Sequence, residues 1–582
     1  MTEREQNEIQ RKIDSLPSGG ISYKTINGKK YPYYQWREDG KQRGRRVKDE
    51  ELESLTKAIA ERKRLQKLLK DDPVKEEKQD KAFSSARTGE ALRRFIAPVK
   101  GFKKRDIFPA LHDYVFGNVS DRVFILYGLR RTGKTTMIRQ VISEMTEEMF
   151  ERTAFIQINS SNSLAGINRE LRELEVLGYR YIFLDEVTLM EDFIEGAALF
   201  SDVYASSGMK IVLSGTDSLG FVFSEDDQLY DRCIMLHTTL IPYREFERVL
   251  GIEGVDEYIR YGGTMSMGGV NYNSAPTFAT KASTDEYVDS AIARNIQHSL
   301  KYYRYGDHFG SLVELYEKNE LTSAINRIIE DINHRFTLEV LTRQFKSHDL
   351  RVSANNIRST NDVLDRIDTE AVTERLRELL EIRNREEQMV NITDAHRAQI
   401  KEYLNLLDLT VDIDVIHLPD IGRPEKRTAI TQPGMRYSQA TALIEQLMLD
   451  EVFGAISILE RNEVTERILS EVKGRMLEDI VLLETAKAGK DRKVFKLQFA
   501  VGEYDMVVFD PKKAECEIFE VKHSDKIDKN QYRHLTDDAK LKETEFRFGR
   551  ITRRTVLYRG ENTSIEGIEY LNVEEYLRSI VG

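Results

Sequence analysis

The chain has 582 residues, of which 40% are hydrophobic and 32% are charged, and its formal net charge is −11 at pH 7. This length suggests about four folding units, and because no apolar run approaches the roughly 20 residues that span a bilayer, we expect no membrane span. The polar N-terminus lacks the pattern of a secretory signal, and Cys233 and Cys516 lack disulfide-framework or zinc-ligand spacing, so we expect a cytoplasmic protein.

Residues 1–80 are expected to form a small β module followed by a charged helix. Between Lys24 and Lys48 nine basic residues stand against two acidic ones, and aromatic residues are interleaved with them. Strands with turns at Asn27-Gly28 and Asp39-Gly40 are predicted, then a helix over 49–72. Basic side chains neutralise phosphates and aromatic rings stack on bases, which favours a nucleic-acid contact. A small sheet with a solvated charged face is the alternative. Residues 81–95 are expected to be a linker.

The stretch GLRRTGKT, from Gly128 to Thr135, fits the spacing of a phosphate-binding loop. A buried strand precedes it and a helical pattern follows it, as such a loop requires. Glycines let backbone amides surround phosphates at a helix N-terminus, the Lys134 ammonium reaches the β and γ phosphates, and the Thr135 hydroxyl can bind Mg²⁺. The predicted nucleotide-binding residues of this stretch are Gly128, Arg131, Thr132, Gly133, Lys134, Thr135 and Thr136.

A second apolar strand, YRYIFLDEV, ends in Asp185 and Glu186. The aspartate is expected to hold the magnesium-bound water and the glutamate to polarise the attacking water. A third strand, MKIVLSGTDS, places Thr216 or Asp217 where a side chain can sense the γ-phosphate, although strand-end polar residues often only form turns. Five strands alternating with helices predict a three-layer α/β/α domain with nucleotide at the carboxyl ends of the strands, and they are expected at 123–127, 154–159, 181–185, 210–214 and 234–237.

The segments YGLRRTGKTT, IFLDEV, LSGTDS and LYDRCIMLHTTLIPYREFERVLG together resemble the archaeal-type ATPase family, within the AAA-related P-loop ATPases. The resemblance implies an ATPase core over 96–250 and a helical lid over 251–330, with Arg294 or Arg304 as a phosphate sensor. It also implies that Arg232 acts as an arginine finger on a neighbouring subunit, and therefore a homo-oligomer. The alternative is that Arg232 pairs with Asp231 or Glu245.

Residues 331–440 are expected to be helical and to include a winged helix. Such folds bind DNA or pack domains together, and without a basic recognition helix packing is favoured.

Residues 441–582 contain the stretch VGEYDMVVFDPKKAECEIFEVKHS, which predicts a hairpin with strands over 502–510 and 514–522. Pairing around its turn places Asp505 opposite Phe519 or Glu520, and the period of two puts Glu520 and Lys522 on one face. Two buried acids beside one lysine are costly unless a cation binds them. Carboxylates holding Mg²⁺ or Mn²⁺, with a lysine to position water, form a phosphodiester-cleaving site. The alternative is an exposed hairpin with scattered charges.

This pattern, with the helix GRMLEDIVLLET ahead of it, resembles the PD-(D/E)XK nuclease superfamily, whose fold is restriction-endonuclease-like. The resemblance implies Asp505, Glu520 and Lys522 as the metal and catalytic core. It further implies Glu478 as a helix-borne acid and Gln531 as an assisting polar residue.

The predicted fold class is therefore multidomain α/β. The leading hypothesis is an ATPase that regulates a metal-dependent DNA nuclease, with ATP and DNA as partners and with a defence or mobile-element role by analogy. The second hypothesis is an ATPase switch that binds DNA or a protein partner and keeps a catalytically silent nuclease fold. The third is a non-catalytic nucleotide-binding adaptor.

Overall fold

The computed structural model divides into two units, residues 1–84 and residues 85–582. The residues that the structure describes are 12–13, 15–26, 29–38, 41–70, 85–190, 192–216, 221, 229, 231–238, 240–265, 277–302, 309–354, 392–419, 424–449, 457–489 and 491–580.

The N-terminal unit contains a three-stranded antiparallel sheet followed by a helix. Its strands, in the order β1-β2-β3, are β1 (Gly20–Ile26), β2 (Lys29–Glu38) and β3 (Lys41–Arg46), and the helix is Asp49–Lys70. On β2 the rings of Tyr34 and Trp36 stack with centroids 5.0 Å apart. The strands and the helix agree with the sequence pattern, whereas the two expected turns, Asn27-Gly28 and Asp39-Gly40, lie outside the described residues.

The first sheet of the larger unit has six strands in the order β4-β6-β7-β8-β5-β9. Its strands are β4 (Ala86–Arg87), β5 (Val123–Tyr127), β6 (Thr153–Gln157), β7 (Tyr181–Asp185), β8 (Lys210–Gly215) and β9 (Cys233–His237). Strand β4 is antiparallel at the edge, and the other five are parallel. Because β8 lies between β5 and β7, the carboxyl ends of these three strands bring the phosphate-binding loop and both acidic residues of the Asp185-Glu186 pair together.

Helices cover this sheet, and the strand positions expected from sequence are correct to within two residues. The helices are Gly89–Ile96, Phe108–Phe116, Lys134–Ser143, Glu147–Glu151, Leu164–Val176 and Phe193–Gly196. The linker expected at 81–95 is wrong over its second half. Residues 86–87 pair with β6, and the backbone amide of Ala86 donates to the Glu170 carboxylate at 2.9 Å, so this segment is part of the sheet.

The second sheet has eight strands in the order β11-β10-β12-β13-β14-β15-β17-β16. Its strands are β10 (Thr410–His417), β11 (Glu425–Ile430), β12 (Lys493–Gln498), β13 (Glu503–Asp510), β14 (Glu515–Val521), β15 (Arg550–Tyr558), β16 (Thr563–Ile565) and β17 (Ile568–Asn572). Strands β13 and β14 form the expected hairpin.

The boundary expected between residues 440 and 441 is wrong. Strand β10 pairs in parallel with β12, so the antiparallel pair β10–β11 extends the C-terminal sheet and is not a separate winged-helix module. Hydrogen bonding to a strand more than seventy residues later in the chain leaves no local pattern in the sequence.

Helices connect and cover the two sheets. They are Tyr243–Leu250, Val255–Tyr261, Lys281–Tyr287, Arg294–Tyr302, Gly310–Glu317, Leu321–Ala354, Asp394–Leu406, Pro433–Met448, Ile458–Ala488, Asp538–Phe548 and Val573–Ser579. Helices are therefore present in the described parts of the ranges 251–330 and 331–440, which were expected to be helical, although 410–417 and 425–430 are strands. None of the helices within the described ranges has the length and apolar character needed to cross a membrane.

One apolar core joins the segment that follows the first sheet to the second sheet. Tyr243, Phe246 and Tyr258 belong to the same buried cluster as Met476 of the helix Ile458–Ala488 and Phe519 of β14. The helix Ile458–Ala488, called the long helix from here on, therefore packs against both the helices that follow the first sheet and the C-terminal sheet.

Candidate functional sites

The phosphate-binding loop between β5 and the helix Lys134–Ser143 has a conformation that depends on its glycines. Gly128 has φ of +133°, and a Cβ atom there would lie 2.4 Å from the carbonyl oxygen of Thr238. Gly133 has φ of +94° and caps the helix. Backbones with positive φ favour glycine because a side chain clashes. The loop therefore curls around a space that faces a helix N-terminus, where anions bind well.

Lys134 lies buried at the start of that helix. Its Nζ atom donates hydrogen bonds to the carbonyl oxygens of Gly128 and Leu129 at 2.7 and 2.8 Å. Burial lowers the pKa of Lys134, while the nearby carboxylates of Glu186 and Asp185 act in the opposite direction. A phosphate in the loop would offer this ammonium stronger acceptors than the two carbonyls.

Thr135 and Asp185 are in direct contact, so the two side chains could share one magnesium ion. The Thr135 hydroxyl donates to the Asp185 carboxylate at 2.7 Å. Ser214 on β8 also donates to Asp185. The sequence did not indicate Ser214. It lies one residue after the last paired position of β8 with β7, so its contact with Asp185 follows from strand pairing and not from a motif.

Glu186 lies directly after β7 and has φ of +61°. The Thr216 hydroxyl donates to both of its carboxylate oxygens, at 3.0 and 3.1 Å. Thr216 therefore orients Glu186. The sequence had suggested a different role for Thr216, that of sensing the γ-phosphate. Asp217, the other residue suggested for that role, lies outside the described residues.

Thr132 and Arg131 connect the loop to its surroundings. The Thr132 side chain is hydrogen-bonded to that of Thr238 at 2.9 Å, and the Thr132 carbonyl accepts from Arg105 at 2.9 Å. The Arg131 side chain donates to that of Thr277 at 2.8 Å. These contacts tie the loop to Arg105, Thr238 and Thr277. Thr136, also predicted to bind nucleotide, is half-buried in the first turn of the helix.

Arg232 pairs with a different residue from those expected. Its guanidinium lies 3.0 Å from the Asp202 carboxylate, and its side chain is 51% exposed. The suggested partner Asp231 pairs instead with Arg122, and Glu245 pairs with the buried Arg105. Arg232 is thus available at the surface to a neighbouring molecule. Of the two suggested phosphate sensors, Arg294 is exposed and Arg304 lies outside the described residues.

In the C-terminal sheet, Asp505, Glu520 and Lys522 are brought together. Met506 pairs with Phe519, a register that continues to Asp505 opposite Glu520. The Lys522 ammonium lies 2.9 Å from Asp505 and 2.6 Å from Glu520. The predicted hairpin pairing, which placed Asp505 opposite Phe519 or Glu520, is therefore correct. Both acids are buried, which is not the arrangement of an exposed hairpin with scattered charges.

The pKa values of the two acids are shifted in opposite directions. Burial acts to raise the pKa of Asp505, but the charges of Lys522, Lys496 and Arg475 outweigh it and hold that pKa well below its ordinary value. Burial and the adjacent Asp505 charge raise the pKa of Glu520 well above its ordinary value. One atom, Oε1 of Glu520, is buried and has no hydrogen-bond partner among the described residues.

A group of three carboxylates could hold a metal ion, and its membership differs from the prediction. Oxygens of Glu478, Glu503 and Asp505 lie within 4.8 Å of one another, whereas the sequence suggested Asp505 with Glu520. Glu478 comes from the long helix, as the resemblance implied. Glu503 was missed, although it stands two residues before Asp505 on β13 and so shares its face.

Two cations that the sequence did not indicate contact this group. Arg475 pairs with Glu478 and lies 3.0 Å from Glu503, and Lys496 on β12 lies 2.8 Å from Glu478. Both are brought in by tertiary packing. The carboxylates line a cleft of about 720 Å³. Gln531 lines it too, with its amide bonded to the Lys526 carbonyl at 2.8 Å.

Residues 120–247 match a family model described as an AAA domain, and residues 1–57 match one described as a domain of unknown function, DUF6788. No curated protein matches the chain. The chain is similar to the Orc1 protein of Aeropyrum pernix in complex with DNA, at 12% identity and a TM-score of 0.21, covering 64% of this chain and 98% of that one. It is likewise similar to Cdc6p from Pyrobaculum aerophilum, at 14% identity and a TM-score of 0.21, covering 64% and 97%.

The family match coincides with the phosphate-binding loop, the Asp185-Glu186 pair and the parallel strands. Residues 120–247 therefore form an AAA-type P-loop ATPase domain.

Proposed function

We propose that this chain, which contains an AAA-type P-loop ATPase domain, hydrolyses ATP and thereby controls a metal-dependent DNA nuclease site in its C-terminal sheet. The observation that carries the proposal is the cluster of the buried Glu478, Asp505 and Glu520 with the partly exposed Glu503 and Lys522, which lines a cleft. Packing with an ATPase domain in one unit supports control of that cluster by nucleotide.

The residues of the ATPase half fit ATP with Mg²⁺. Mg²⁺ bound to the phosphates neutralises charge that develops during phosphoryl transfer. Thr135 and Asp185 are the side chains that would hold it, since they already share a hydrogen bond. Lys134 would bind the β and γ phosphates, and Glu186, oriented by Thr216, would polarise the attacking water.

The residues of the C-terminal cleft fit a divalent cation, because three of its carboxylates offer oxygens within 4.8 Å of one another. Glu478, Glu503 and Asp505 would be its ligands. Mg²⁺ or Mn²⁺ there supplies Lewis-acid activation of a phosphodiester. Lys522, held between Asp505 and Glu520, is placed to orient water or to stabilise charge on the phosphate.

Residues 238–265, called the connecting segment, contact both sites. At one end Thr238 bonds Thr132, and the Met265 amide donates to the Arg131 carbonyl at 2.9 Å. Between these ends, the Tyr243 amide donates to Glu484 of the long helix at 2.8 Å. The long helix also carries Glu478. A change in the loop on ATP binding can therefore reach a carboxylate of the cleft through packed elements.

The same segment is tied to the C-terminal helix Val573–Ser579. Glu247 pairs with Arg578 at 2.6 Å, and the Val255 amide donates to Glu574 at 3.0 Å. These contacts support movement of the connecting segment and the C-terminal sheet as one body.

One observation favours the second candidate, an ATPase switch with a silent nuclease fold. Arg475 and Lys496 already neutralise Glu478 and Glu503, so a cation must displace them to bind. If it does not, the cleft is a structural ion-pair network, and the ATPase would act by binding DNA or a protein partner.

DNA is proposed as the substrate because of the chemistry of the cleft and because of the N-terminal unit. There the exposed Arg43, Arg45 and Arg46 lie on β3, beside the stacked Tyr34 and Trp36 of β2. Cations next to aromatic rings suit a nucleic-acid backbone and its bases. We propose that this unit helps to hold DNA.

Cleavage of supercoiled, linear and branched DNA with Mg²⁺ or Mn²⁺, with and without ATP, tests the proposal. Asp505→Asn and Lys522→Ala should abolish cleavage, and Lys134→Ala should change its dependence on ATP. Glu515→Gln, at the far end of the same hairpin, is the matched control and should cleave as wild type does. ATP hydrolysis without cleavage of any substrate would favour the silent-fold candidate.

A further inference from the structure

Asp256 makes an unusual set of contacts for a single carboxylate. It lies 3.1 Å from the Lys473 ammonium, 3.0 Å from Nε2 of His523 and 2.9 Å from the Arg559 guanidinium. The hydrogen bond from His523 is the largest cause that holds the pKa of Asp256 below its ordinary value, and Lys473 adds to it. One acid is therefore surrounded by three nitrogen donors from another part of the chain.

The three donors belong to the long helix and to the ends of β14 and β15, and none of them comes from the ATPase side. Lys473 lies on the long helix five residues before Glu478, and His523 follows Lys522 directly. Arg559 follows β15, the strand that pairs with β14. His523 itself lines the cleft. Asp256 alone belongs to the connecting segment, in the first turn of the helix Val255–Tyr261.

The positive charges of the donors around Asp256 outnumber its single negative charge. Lys473 and Arg559 carry two positive charges, and Asp256 supplies one negative charge. Its carboxylate oxygens accept from several directions, as the oxygens of a phosphate do. Partial exposure keeps the position reachable, since the Arg559 side chain is 37% exposed and that of Asp256 26%. A polyanion could therefore replace the single acid without leaving buried cations unpaired.

We propose that Lys473, His523 and Arg559 form a subsite for the DNA backbone next to the cleavage cleft, and that Asp256 occupies this subsite as an internal competitor. The proposal rests on the proposed function in taking DNA as the ligand. It adds a mode of regulation. Because the connecting segment contacts the phosphate-binding loop through Thr238 and Met265, nucleotide binding can withdraw Asp256 and open the subsite to DNA.

The test measures DNA binding by the full chain in EDTA, so that neither metal nor cleavage enters the result. Anisotropy of a labelled duplex is recorded over a series of salt concentrations for wild type and for Asp256→Asn. Every additional phosphate that the protein neutralises steepens the dependence of log K on log salt by about 0.9. We expect Asp256→Asn to bind about tenfold more tightly at low salt and to steepen the slope by about 1 to 2.

Glu257→Gln is the matched control. It removes the same charge from the next residue of the same helix, but Glu257 pairs with Arg260 of that helix at 3.5 Å and not with the cluster. It should bind DNA as wild type does. If Glu257→Gln tightens binding as much as Asp256→Asn, the effect is a general one of charge and the subsite is wrong.

Arg559→Gln and Lys473→Gln test whether the tighter DNA binding of Asp256→Asn depends on these two cations. Added to Asp256→Asn, each should cancel most of the increase in affinity and of the steeper slope; an increase that survives both overturns the proposal.

Thermal unfolding identifies the purely structural outcome. If Asp256→Asn only lowers the unfolding midpoint and leaves DNA binding unchanged, the cluster merely docks the connecting segment. If Asp256→Asn does not fold, Arg559→Gln must weaken DNA binding measured with saturating ATP, the state in which Asp256 is withdrawn, or the proposal fails. A chain without nuclease activity can pass all these tests, so failure of the proposed cleavage remains distinguishable.

Discussion

Thr216 donates hydrogen bonds to both carboxylate oxygens of Glu186, at 3.0 and 3.1 Å. Glu186, the acid proposed to polarise water, is thereby held in one orientation by a residue at the end of the neighbouring strand. On the proposed mechanism the two residues have different roles, because Glu186 would act on the water and Thr216 would act only by orienting Glu186.

Glu186→Gln should lower the rate of ATP turnover by about 10²-fold or more, since the amide cannot polarise water as the carboxylate does. ATP binding should persist, because Lys134 and the loop are unchanged. Turnover by phosphate release and binding of a fluorescent ATP analogue measure the two effects. Thr216→Val should lower turnover less than Glu186→Gln does. Glu173→Gln, exposed on a helix of the same domain, is the control and should leave both unchanged.

Arg232→Ala should lower turnover by about 10³-fold if the arginine completes a neighbouring subunit's site. Turnover per chain of the wild type should then rise with protein concentration. Asp202→Asn removes the partner of Arg232 but keeps the arginine, and it should retain turnover. Arg232→Ala with wild-type turnover at every concentration would contradict a finger role.

Glu503→Gln should weaken Mn²⁺ binding by at least about tenfold, because it removes one of three carboxylates within 4.8 Å of one another. Calorimetric titration of Mn²⁺ into the ATP-free chain measures this without any cleavage assay. Glu515→Gln, whose carboxylate pairs with Arg550 away from the cleft, should not change the affinity. Equal Mn²⁺ affinity in wild type and Glu503→Gln would exclude this residue as a ligand.

The buried Glu484 should make the free energy of unfolding depend on pH. It lines a cavity of about 190 Å³, and burial raises its pKa from the ordinary 4.5 to about 7. Between these values the folded chain binds more protons than the unfolded chain, so stability falls as pH rises through this range and levels off above it. The loss should be about 3 kcal/mol at most.

Glu484→Gln keeps an acceptor for the Tyr243 amide and cannot ionise. Its urea midpoint should therefore exceed that of wild type at pH 8 and approach it at pH 5. Glu463→Gln, exposed on the same long helix, should follow wild type at both pH values. Parallel changes in wild type and Glu484→Gln would show that another group titrates.

Glu245→Ala should destabilise the fold by about 3–5 kcal/mol, since it leaves the buried Arg105 without its carboxylate at 2.5 Å. Because Arg105 also donates to the Thr132 carbonyl of the loop, ATP affinity should fall with stability. Glu247→Ala on the same helix removes a more exposed pair with Arg578 and should cost about 1 kcal/mol or less. Chemical unfolding measures the stability of both variants, and binding of an ATP analogue measures their affinity. Equal losses of stability in the two variants would contradict an effect of burial on the strength of these ion pairs.

The parts that sequence predicted correctly are local. The loop from Gly128 to Thr135, the strand ending in Asp185 and the hairpin that joins Asp505 to Glu520 each depend on spacing within a few dozen residues. Strand period and turn position suffice to place them.

The parts that sequence missed depend on packing between distant elements. Ser214 reaches Asp185 because β8 lies beside β7, and Lys496 reaches Glu478 because β12 lies beneath the long helix. Arg232 finds Asp202 thirty positions earlier, a pairing for which the chain shows no periodic signal. Glu503, also missed, is the one residue that the sequence could have indicated, because it stands two positions before Asp505 on the same strand.

The parallel pairing of β10 with β12 has a practical consequence for work with isolated pieces of the chain. A fragment that starts at residue 441 would lack β10 and β11, so the β12 backbone that pairs with residues 415–417 would be exposed to solvent. An uncovered strand edge adds strands from other molecules. Such a fragment should self-associate in light scattering, whereas one that begins ahead of residue 410 should remain dispersed.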